Sequence, residues 1–410
     1  MAGVDQPTLL VTLTGPDRPG VTSTLFDRIS AVGAEVIDLE QVVLRGQLTL
    51  AVLLAVDGVE PQLRQVVHET GTGLGMQVQV HSGRGDNRSR PTGRAAVAVL
   101  GAPITATHLA AVSKAIAEHG ANIDRIRRLS RFPVTTIELD VSGADLLRLR
   151  RELALVSSEH KVDIAVARSG LARRGRRLVV MDVDSTLIHE EVIELLARHA
   201  GREHDVAEVT ARAMRGEIDF AESLHERVAT LAGLPVSALD DVRRSITLTP
   251  GARTLIRTLR RLGFSIALVS GGFIEVVADV ADELGIPHAR ANRLEVVDGR
   301  LTGRVVGPVI DRAAKAEALR DFAQLEGLPL SRTVAIGDGA NDLDMLEAAG
   351  LGIAFNAKPL VRAQADTAVN VPYLDAVLYL LGISREEVEE ADAADPTTAP
   401  MSLPAIPASL

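Results

Sequence analysis

A short apolar run that leads into two aspartates constrains this chain more than any other stretch. Residues 178–181 read Leu-Val-Val-Met, and Asp182, Asp184 and Thr186 follow at alternate positions. Such a run predicts a buried parallel strand, and open α/β sheets bind their ligands at the carboxyl ends of these strands. There, Asp182 could attack a phosphorus atom to form an acyl phosphate. Asp184 could protonate the leaving oxygen and then deprotonate the hydrolytic water.

The same pattern has a simpler structural interpretation. Asp, Ser and Thr favour turns and helix starts, so Asp-x-Asp can merely cap the end of a strand. Short motifs also recur by chance, and the chemical interpretation therefore depends on what the rest of the chain contains.

Composition limits the class of protein. A chain of 410 residues predicts two or three domains, and 46% hydrophobic with 24% charged residues is ordinary for a globular protein. The net charge of −10 argues against nucleic acid as a main partner, and the lack of cysteine excludes disulfides and thiolate metal sites. We see no signal peptide and no bilayer-spanning run, so we expect a cytoplasmic protein without membrane contact.

Lysine is rare in this chain. Of the 44 basic residues only four are lysines, at positions 114, 161, 315 and 358. Arginine is therefore the default cation, and each lysine marks a place where a compact point charge is wanted.

The first part of the chain contains one pattern twice. Residues 1–81 and 95–168 each predict the βαββαβ order of a ferredoxin-like unit, and a polar linker at 82–94 joins them. Gly15 and Gly101 occupy equivalent places in the two copies. Internal repetition on this scale indicates a duplicated domain.

Both copies resemble ACT domains, the amino-acid-sensing modules of many biosynthetic enzymes. The stretch Gly-Pro-Asp-Arg-Pro-Gly that begins at Gly15 matches that family's loop between first strand and helix. The resemblance implies an effector such as L-serine near Gly15, Asp17 and Gly101, and pairing of the domains in a homodimer. The second copy departs from the pattern at 101–104, Gly-Ala-Pro-Ile, and dimerisation without any ligand stays an alternative.

Residues 169–384 predict an α/β domain with a helical insertion. A charged helical segment at about 188–248 follows the aspartates directly, and we expect it to cover the site as a cap that excludes water. A later strand ends in Ser270 and Gly271, a hydroxyl and a glycine suited to cradle a phosphate before a helix. Lys315 follows within a predicted helix.

An acidic loop follows a further buried strand. The sequence Gly-Asp-Gly-Ala-Asn-Asp places Asp338, Asn341 and Asp342 at the end of that strand. Oxygen ligands from Asp338 and Asp182, with the backbone carbonyl of Asp184 and waters, suit octahedral Mg²⁺. A calcium loop is the alternative, although the spacing lacks its full series of ligands.

Together these four motifs resemble those of the haloacid dehalogenase superfamily. The resemblance implies a Rossmann-like parallel sheet with a small helical cap and a Mg²⁺-dependent mechanism through an aspartyl-phosphate at Asp182. It also implies that Asp182, Asp184 and Asp338 hold the metal. Thr186 and Asp342 would lie behind these ligands and orient them. Four residues would position the phosphate: Ser270, Gly271, Lys315 and Asn341.

Within the superfamily the chain most resembles the phosphoserine phosphatases. That resemblance implies that Glu191 holds the substrate ammonium, Arg227 its carboxylate, and Met214 and Phe220 its aliphatic part. The reaction would be hydrolysis of O-phospho-L-serine to L-serine and phosphate, the last step of serine biosynthesis, with amino-acid regulation through the ACT domains.

Other functions stay open at this point. The chain could act on another small phosphomonoester, transfer the phosphoryl group to an alcohol, or be a non-catalytic amino-acid sensor. Dehalogenation is disfavoured because that chemistry does not need the second carboxylate of Asp184. The tail at 385–410 is acidic and then rich in Ala, Pro, Thr and Ser, which predicts poor order.

Overall fold

The structure is a computed structural model that describes residues 6–85, 93–170, 173 and 175–395, without the side chain of Met214. The chain divides into two compact units, residues 1–91 and residues 92–410. Among the described residues, no helix combines the length and the apolar character that crossing a membrane requires.

The first unit is a four-stranded antiparallel sheet packed against two helices. Its strand order is β2-β3-β1-β4, and its elements are β1 (Pro7–Pro16), α1 (Val21–Ser30), β2 (Glu35–Leu44), β3 (Gln47–Ala55), α2 (Glu60–Gly73) and β4 (Gln77–Arg84). Leu9, Val11 and Leu13 alternate along β1 and are fully buried against the helices. The predicted βαββαβ order is confirmed. Strand β4 extends into the predicted linker, most of whose remainder lies outside the described residues.

The second unit begins with the same arrangement. The strand order is β6-β7-β5-β8, and the elements are β5 (Ala95–Gly101), α3 (Ala106–Glu118), β6 (Asn122–Ser130), β7 (Thr135–Ser142), α4 (Leu146–His160) and β8 (Asp163–Arg168). Residues 95–100 are all buried, whereas β1 alternates. The difference follows from sequence, because 95–100 is a continuous apolar run. Its second face, with Ala98 and Leu100, packs into the core of the following domain.

That following domain is built on a seven-stranded sheet of order β12-β11-β10-β9-β13-β14-β15, parallel except for the edge strand β12. The strands are β9 (Leu178–Met181), β10 (Ser265–Phe273), β11 (His288–Val297), β12 (Arg300–Val306), β13 (Thr333–Gly337), β14 (Leu351–Phe355) and β15 (Thr367–Val369). Strand β9, which leads into Asp182, is at the centre and completely buried, as its sequence predicts.

Helices cover this sheet and build the cap. Cap helices are α5 (Val192–Ala200), α6 (Glu203–Met214), α7 (Phe220–Ala229) and α8 (Ser237–Ser245). An antiparallel bridge between Ile188 and Leu248 closes the base of this insertion. The remaining helices are α9 (Ala252–Arg261), α10 (Ile274–Leu284), α11 (Arg312–Leu325), α12 (Leu343–Ala348), α13 (Pro359–Gln364), α14 (Val377–Leu380) and α15 (Arg385–Ala393). The predicted helical cap is confirmed.

The second ACT-like domain is fastened to the edge of the large sheet. Thr367 Oγ1 in β15 donates a hydrogen bond to the carbonyl of Ile164 in β8 at 2.9 Å, and the backbone N–H of Asn370 donates to Asp163 at 2.6 Å. Nearby, Arg150 pairs with Asp366 at 2.8 Å. These contacts cover the β15 edge, which would otherwise expose unpaired backbone groups.

A buried ion-pair cluster forms a second part of the same junction. Glu138 is fully buried in β7 and accepts hydrogen bonds from Arg127 at 2.8 Å and from Arg173. Arg173 also donates to the carbonyl of Leu380 at 3.2 Å. The cluster therefore joins the ACT-like sheet, the segment before β9 and helix α14.

The end of the described chain differs from the prediction. Residues 385–393 form helix α15, whose Arg385 and Val388 are buried, and Asp392 pairs with Arg257 and Arg261 of α9. The prediction of poor order is wrong for this part, because Asp392 is neutralised by two arginines from α9 and Val388 packs into the core. Residues 396–410 lie outside the described part of the chain.

Candidate active site

Three neighbouring strands bring the predicted site together. Strand β9 pairs in parallel with β10 on one side and β13 on the other, with Met181 level with Leu268 and Ile336. The segments that leave these three strands therefore meet at one edge of the sheet. They carry the aspartates after β9, Ser270 and Gly271 at the end of β10, and the acidic loop after β13.

Asp182 lies at the carboxyl end of β9 and is held from two directions. Its Oδ1 accepts a hydrogen bond from the backbone N–H of Val183 at 2.8 Å and lies 2.9 Å from Nζ of Lys315. Lys315 is fully buried in α11 and also donates to Oδ1 of Asp342 at 2.7 Å. Both donors engage Oδ1, so among the described residues no donor contacts Oδ2. That oxygen keeps its lone pairs available.

For both Asp182 and Lys315, burial and the charge of the other residue shift the pKa in opposite directions. Burial and the carboxylate of Asp342 raise the pKa of Asp182 well above its usual value, although Lys315 opposes the shift. Burial alone would lower the pKa of Lys315, but the charges of Asp182 and Asp342 outweigh it and raise that pKa. Lys315 therefore stays protonated beside Asp182.

Asp184 is oriented on the other side of the same turn. Its Oδ1 accepts from the backbone N–H of Val192 at 2.9 Å, and its Oδ2 accepts from Oγ of Ser270 at 2.8 Å. Oγ of Ser270 in turn accepts from the N–H of Gly272 at 2.7 Å. Burial raises the pKa of Asp184, and these hydrogen bonds moderate the shift. Ser185 has a φ of +56°, which turns the chain so that Asp184 faces the site.

The acidic residues form a cluster that fits a divalent cation. One oxygen each from Asp182, Asp338 and Asp342 lie within 4.8 Å of one another. Thr186 Oγ1 donates to Oδ1 of Asp338 at 3.1 Å, and burial followed by the charge of Asp342 raises the pKa of Asp338 to about 6. Three carboxylates facing each other repel, and a hard cation would relieve that repulsion. The cluster contains Asp342, for which the sequence analysis predicts a supporting role, and the carboxylate of Asp184 is not part of it.

The cap closes a cavity of about 560 Å³ over these carboxylates. The cap brings Glu191, Phe220 and Arg227 to the same space as the strand-end residues. The predicted site residues that line the cavity are Asp182, Asp184, Glu191, Phe220, Arg227, Gly271, Asp338 and Asn341. Apolar side chains such as Ile193, Ile218 and Leu224 complete the wall. A small polar ester with a short carbon skeleton suits this mixture.

Glu191 and Arg227 give the cavity opposite charges on its cap side. Although Glu191 is solvent-exposed where it lines the cavity, partial desolvation and the charge of Asp184 raise its pKa to about 7. Ser185 Oγ donates to Glu191 at 2.9 Å. Burial lowers the pKa of Arg227, whose Nε donates to the carbonyl of Ser223 at 3.2 Å. Within the described part of the chain no acceptor contacts the other nitrogens of this guanidinium, which leaves them for a ligand.

Several site residues were missed by the sequence analysis. Lys358 and Gly272 line the cavity, and buried Asn292 donates to the carbonyl of Gly271 at 2.8 Å while it accepts from the N–H of Ile310 at 2.8 Å. The sequence contained an indication of Lys358, because it is one of four lysines in an arginine-rich chain. The sequence contained no indication of Asn292, because this residue lies inside a strand far from every motif.

Four predicted residues lie elsewhere or are only partly described. The side chain of Met214 lies outside what the structure describes, and its backbone ends α6. Gly15 and Gly101 each fall at the end of the first strand of an ACT-like domain, and Asp17 follows β1. A Cβ at Gly15 would lie 2.6 Å from the sulfur of Met76, so packing already accounts for this glycine.

Family profiles match the same three parts of the chain. The haloacid dehalogenase-like hydrolase profile matches residues 179–347, and two ACT domain profiles match residues 7–81 and 94–167. The ACT boundaries agree with the two antiparallel units described above, and the hydrolase match covers the large-sheet domain from β9 into α12.

Individual relatives extend the similarity to nearly the whole chain. A phosphoserine phosphatase from Streptomyces coelicolor is 60% identical over 95% of this chain and 95% of its own length. Phosphoserine phosphatase SerB2 from Mycobacterium tuberculosis is 51% identical over 97% of this chain and 98% of its own. The crystal structure of a probable phosphoserine phosphatase from Vibrio cholerae is 33% identical, covers 72% of this chain and 88% of that chain, and superposes with a TM-score of 0.56. This chain therefore belongs to the phosphoserine phosphatases of the haloacid dehalogenase superfamily, as an enzyme with two N-terminal ACT domains.

Proposed function

We propose that this enzyme hydrolyses O-phospho-L-serine to L-serine and phosphate through an aspartyl-phosphate on Asp182. The observation that carries the proposal is the cavity in which Glu191 and Arg227 of the cap face Asp182 and Asp184. An acidic and a basic group opposite a nucleophilic carboxylate suit a zwitterionic phosphomonoester better than a sugar phosphate. The names of the full-length relatives support the same substrate.

In the first step Oδ2 of Asp182 attacks phosphorus, and the bond between phosphorus and the serine oxygen breaks. Asp184 donates its proton to that oxygen, so L-serine leaves as the neutral alcohol. Lys315, 2.9 Å from Asp182, offsets the negative charge that gathers as the carboxylate meets the phosphate. Ser270 holds Asp184 in the direction of the leaving group.

In the second step a water molecule attacks the aspartyl-phosphate. Asp184, now deprotonated, takes a proton from that water, and the bond between phosphorus and Asp182 breaks to release phosphate. The closed cap keeps other water away from the intermediate until serine has left. Ser270, Gly271, Lys315 and Asn341 are the proposed phosphate-binding residues.

A magnesium ion fits the carboxylate cluster at the base of the cavity. Asp182 and Asp338 would hold it with the backbone carbonyl of Asp184, and Thr186 and Asp342 would orient those ligands. When bound, Mg²⁺ supplies electrostatic stabilisation of the phosphoryl group during transfer.

The substrate test removes one recognition group at a time. L-phosphoserine is compared with phosphoethanolamine, which lacks the carboxylate, and with glycerol phosphate, which lacks both charged groups. Arg227→Ala should lower kcat/KM for L-phosphoserine about 100-fold and leave phosphoethanolamine nearly unchanged, because a charge-assisted pair contributes roughly 1.5 to 3 kcal/mol. Arg244→Ala, on the exposed side of the cap, is the matched control.

Each of four results would contradict the proposal. Equal turnover of all three esters would remove phosphoserine as the substrate while leaving the phosphatase chemistry. Full activity in Asp182→Asn, or no acid-stable phosphate label on the wild-type protein after rapid quenching, would remove the covalent step. An alcohol that accepts the phosphoryl group in competition with water would favour a phosphotransferase.

Regulation, assembly and location stay predictions from the sequence. We propose that an amino acid such as L-serine acts through the ACT domains around Gly15, Asp17 and Gly101, and that the enzyme is a cytoplasmic homodimer. Inhibition by L-serine that is the same in Gly15 and Gly101 variants would remove these positions from the regulatory account.

A further inference from the structure

A second cavity, of about 690 Å³, lies between the second ACT domain and the phosphatase domain, away from the active site. One wall comes from the ACT side and carries Arg94, Arg125, Arg127 and Asp140. The opposite wall comes from the phosphatase side and is mainly apolar, with Leu262, Phe264, Leu381 and Ile383. No step of the proposed reaction uses this space.

The cavity concentrates positive charge in a protein that is acidic overall. Four arginines line it, at positions 94, 125, 127 and 173, against three carboxylates: Asp140 and Glu387 on the cavity wall, and Glu138 buried behind Arg127 and Arg173. The protein as a whole carries a net charge of −10. Because grouped guanidinium ions repel one another, a local excess of this kind favours an anionic occupant.

Arg173 is the strongest single indication of a ligand. Its side chain is only 9% exposed, and one nitrogen donates to Glu138 and to the carbonyl of Leu380. Its Nε is buried and has no acceptor within the described part of the chain. A buried donor without an acceptor costs free energy, and an anion in the cavity would satisfy it.

Arg94 and Arg173 keep guanidinium donors that no acceptor contacts within the described part of the chain. Glu138 is the acceptor for both Arg127 and Arg173, and it lies on the buried side of the cluster. Arg94 is exposed and forms no hydrogen bond or ion pair with any other side chain that the structure describes. Guanidinium groups bind carboxylates and phosphates with paired hydrogen bonds, so these arginines present a suitable surface.

The apolar wall narrows the class of anion. Leu262 is 50% exposed, and Phe264, Leu381 and Ile383 lie beside it in the same cavity. Inorganic phosphate would leave this surface in contact with water, whereas a carboxylate with an apolar group would cover it. We propose that this cavity binds a small organic carboxylate with an apolar portion, whose charged end faces the ACT-side arginines and whose apolar end faces Leu262 and Phe264.

The test uses the full-length enzyme and a minimal probe. Isothermal titration with 3-phenylpropanoate should show saturable binding at one site per chain. The neutral isostere 3-phenylpropanamide and acetate should each bind at least about tenfold more weakly, since the first lacks the charge and the second the apolar part.

Variants then locate the site. Arg94→Gln should weaken 3-phenylpropanoate about tenfold, and Leu262→Glu should abolish saturable binding, because it places a negative charge on the apolar wall. Both changes are at exposed positions, so phosphatase activity should stay at the wild-type value and report an intact fold. Arg148→Gln, exposed on α4 and outside the cavity, is the matched control.

Several outcomes would overturn the proposal. One is no saturable binding of the carboxylate at millimolar concentrations. Others are equal binding of the amide, tighter binding of acetate, or unchanged affinity in both cavity variants. Binding that is lost in Arg227→Ala but retained in Arg94→Gln and Leu262→Glu would assign the probe to the active site instead.

Discussion

A Cβ atom at position 272 would lie 2.6 Å from Oδ2 of Asp184. The same atom would lie 3.0 Å from Oγ of Ser270, the hydroxyl that orients that carboxylate. The lack of a side chain at Gly272 therefore gives room for the carboxylate of Asp184, the proposed acid and base. Glycine is needed at this position for steric reasons.

Gly272→Ala should lower kcat about 100-fold with little change in overall fold, because a displaced general acid loses most of its contribution to the rate. Steady-state kinetics and circular dichroism measure both effects. Gly73→Ala is the control, since Gly73 has an ordinary backbone conformation and open space around it. Wild-type kcat in Gly272→Ala would show that Asp184 need not hold this position.

Lys315 separates two buried carboxylates, Asp182 and Asp342, and its removal should be costly. Lys315→Met should lower the free energy of unfolding by about 3 kcal/mol, because it leaves uncompensated buried charge. Mg²⁺ should raise the melting temperature of the variant more than that of the wild type, since the cation replaces the lost charge. Lys114→Met, at an exposed pair with Glu118, is the matched control in urea unfolding. Equal stability of the two variants would contradict this account.

Glu138 should make stability depend on acid pH. Burial alone would raise its pKa, but the hydrogen bonds and charges of Arg173 and Arg127 outweigh burial and lower it below 4.5. A carboxyl group whose pKa is lowered on folding contributes stability above its unfolded pKa, and loses it as the pH falls through the folded pKa. Glu138→Gln should therefore cost about 3 kcal/mol at pH 7, and the difference from wild type should shrink below pH 4.5.

Urea unfolding at pH 7 and at acid pH measures that difference. The exposed substitution Glu159→Gln provides the control, and it should change stability little at either pH. A Glu138→Gln cost that stays constant from neutral to acid pH would contradict an ionised, paired Glu138.

Lys358 lines the active-site cavity with an exposed cation and should assist capture of the substrate dianion. Lys358→Gln should lower kcat/KM about threefold to tenfold at low ionic strength, and the effect should shrink as salt screens the charge. Because the residue acts on encounter, kcat should stay nearly constant. Stopped-flow or steady-state assays across a salt series measure this, with Lys114→Gln as control. A fall in kcat that salt does not change would give Lys358 a role in the chemical steps.

The sequence predicted the site best where strand geometry decides the position of a side chain. Asp182 and Asp338 follow β9 and β13, Ser270 lies near the end of β10, and parallel strands bring their carboxyl ends together. Residues such as Asn292 could not be found this way, because its two hydrogen bonds join segments that only the fold brings together. The substrate and metal roles of the predicted residues stay predictions.

Local composition predicts the wrong structure for one segment and carries a correct signal for another. The acidic segment at 385–393 indicates disorder when taken alone, yet Ser384 and Glu387 form a capping box that starts α15. The continuous apolar run at 95–100 also differs from the alternating run at 9–14. That contrast was the available sign that the second ACT domain is buried on both faces of its sheet and the first is not.

The contact between Arg173 and the carbonyl of Leu380 can form only late in the synthesis of the chain. The two residues are 207 positions apart, so the second ACT domain leaves the ribosome long before the segment that completes its junction. At roughly 5 to 20 residues per second, about 10 to 40 seconds pass between them. Throughout that interval the apolar back of β5 and the Glu138 cluster lack their cover. The nascent chain is therefore most exposed to chaperones and proteases before its last helices emerge.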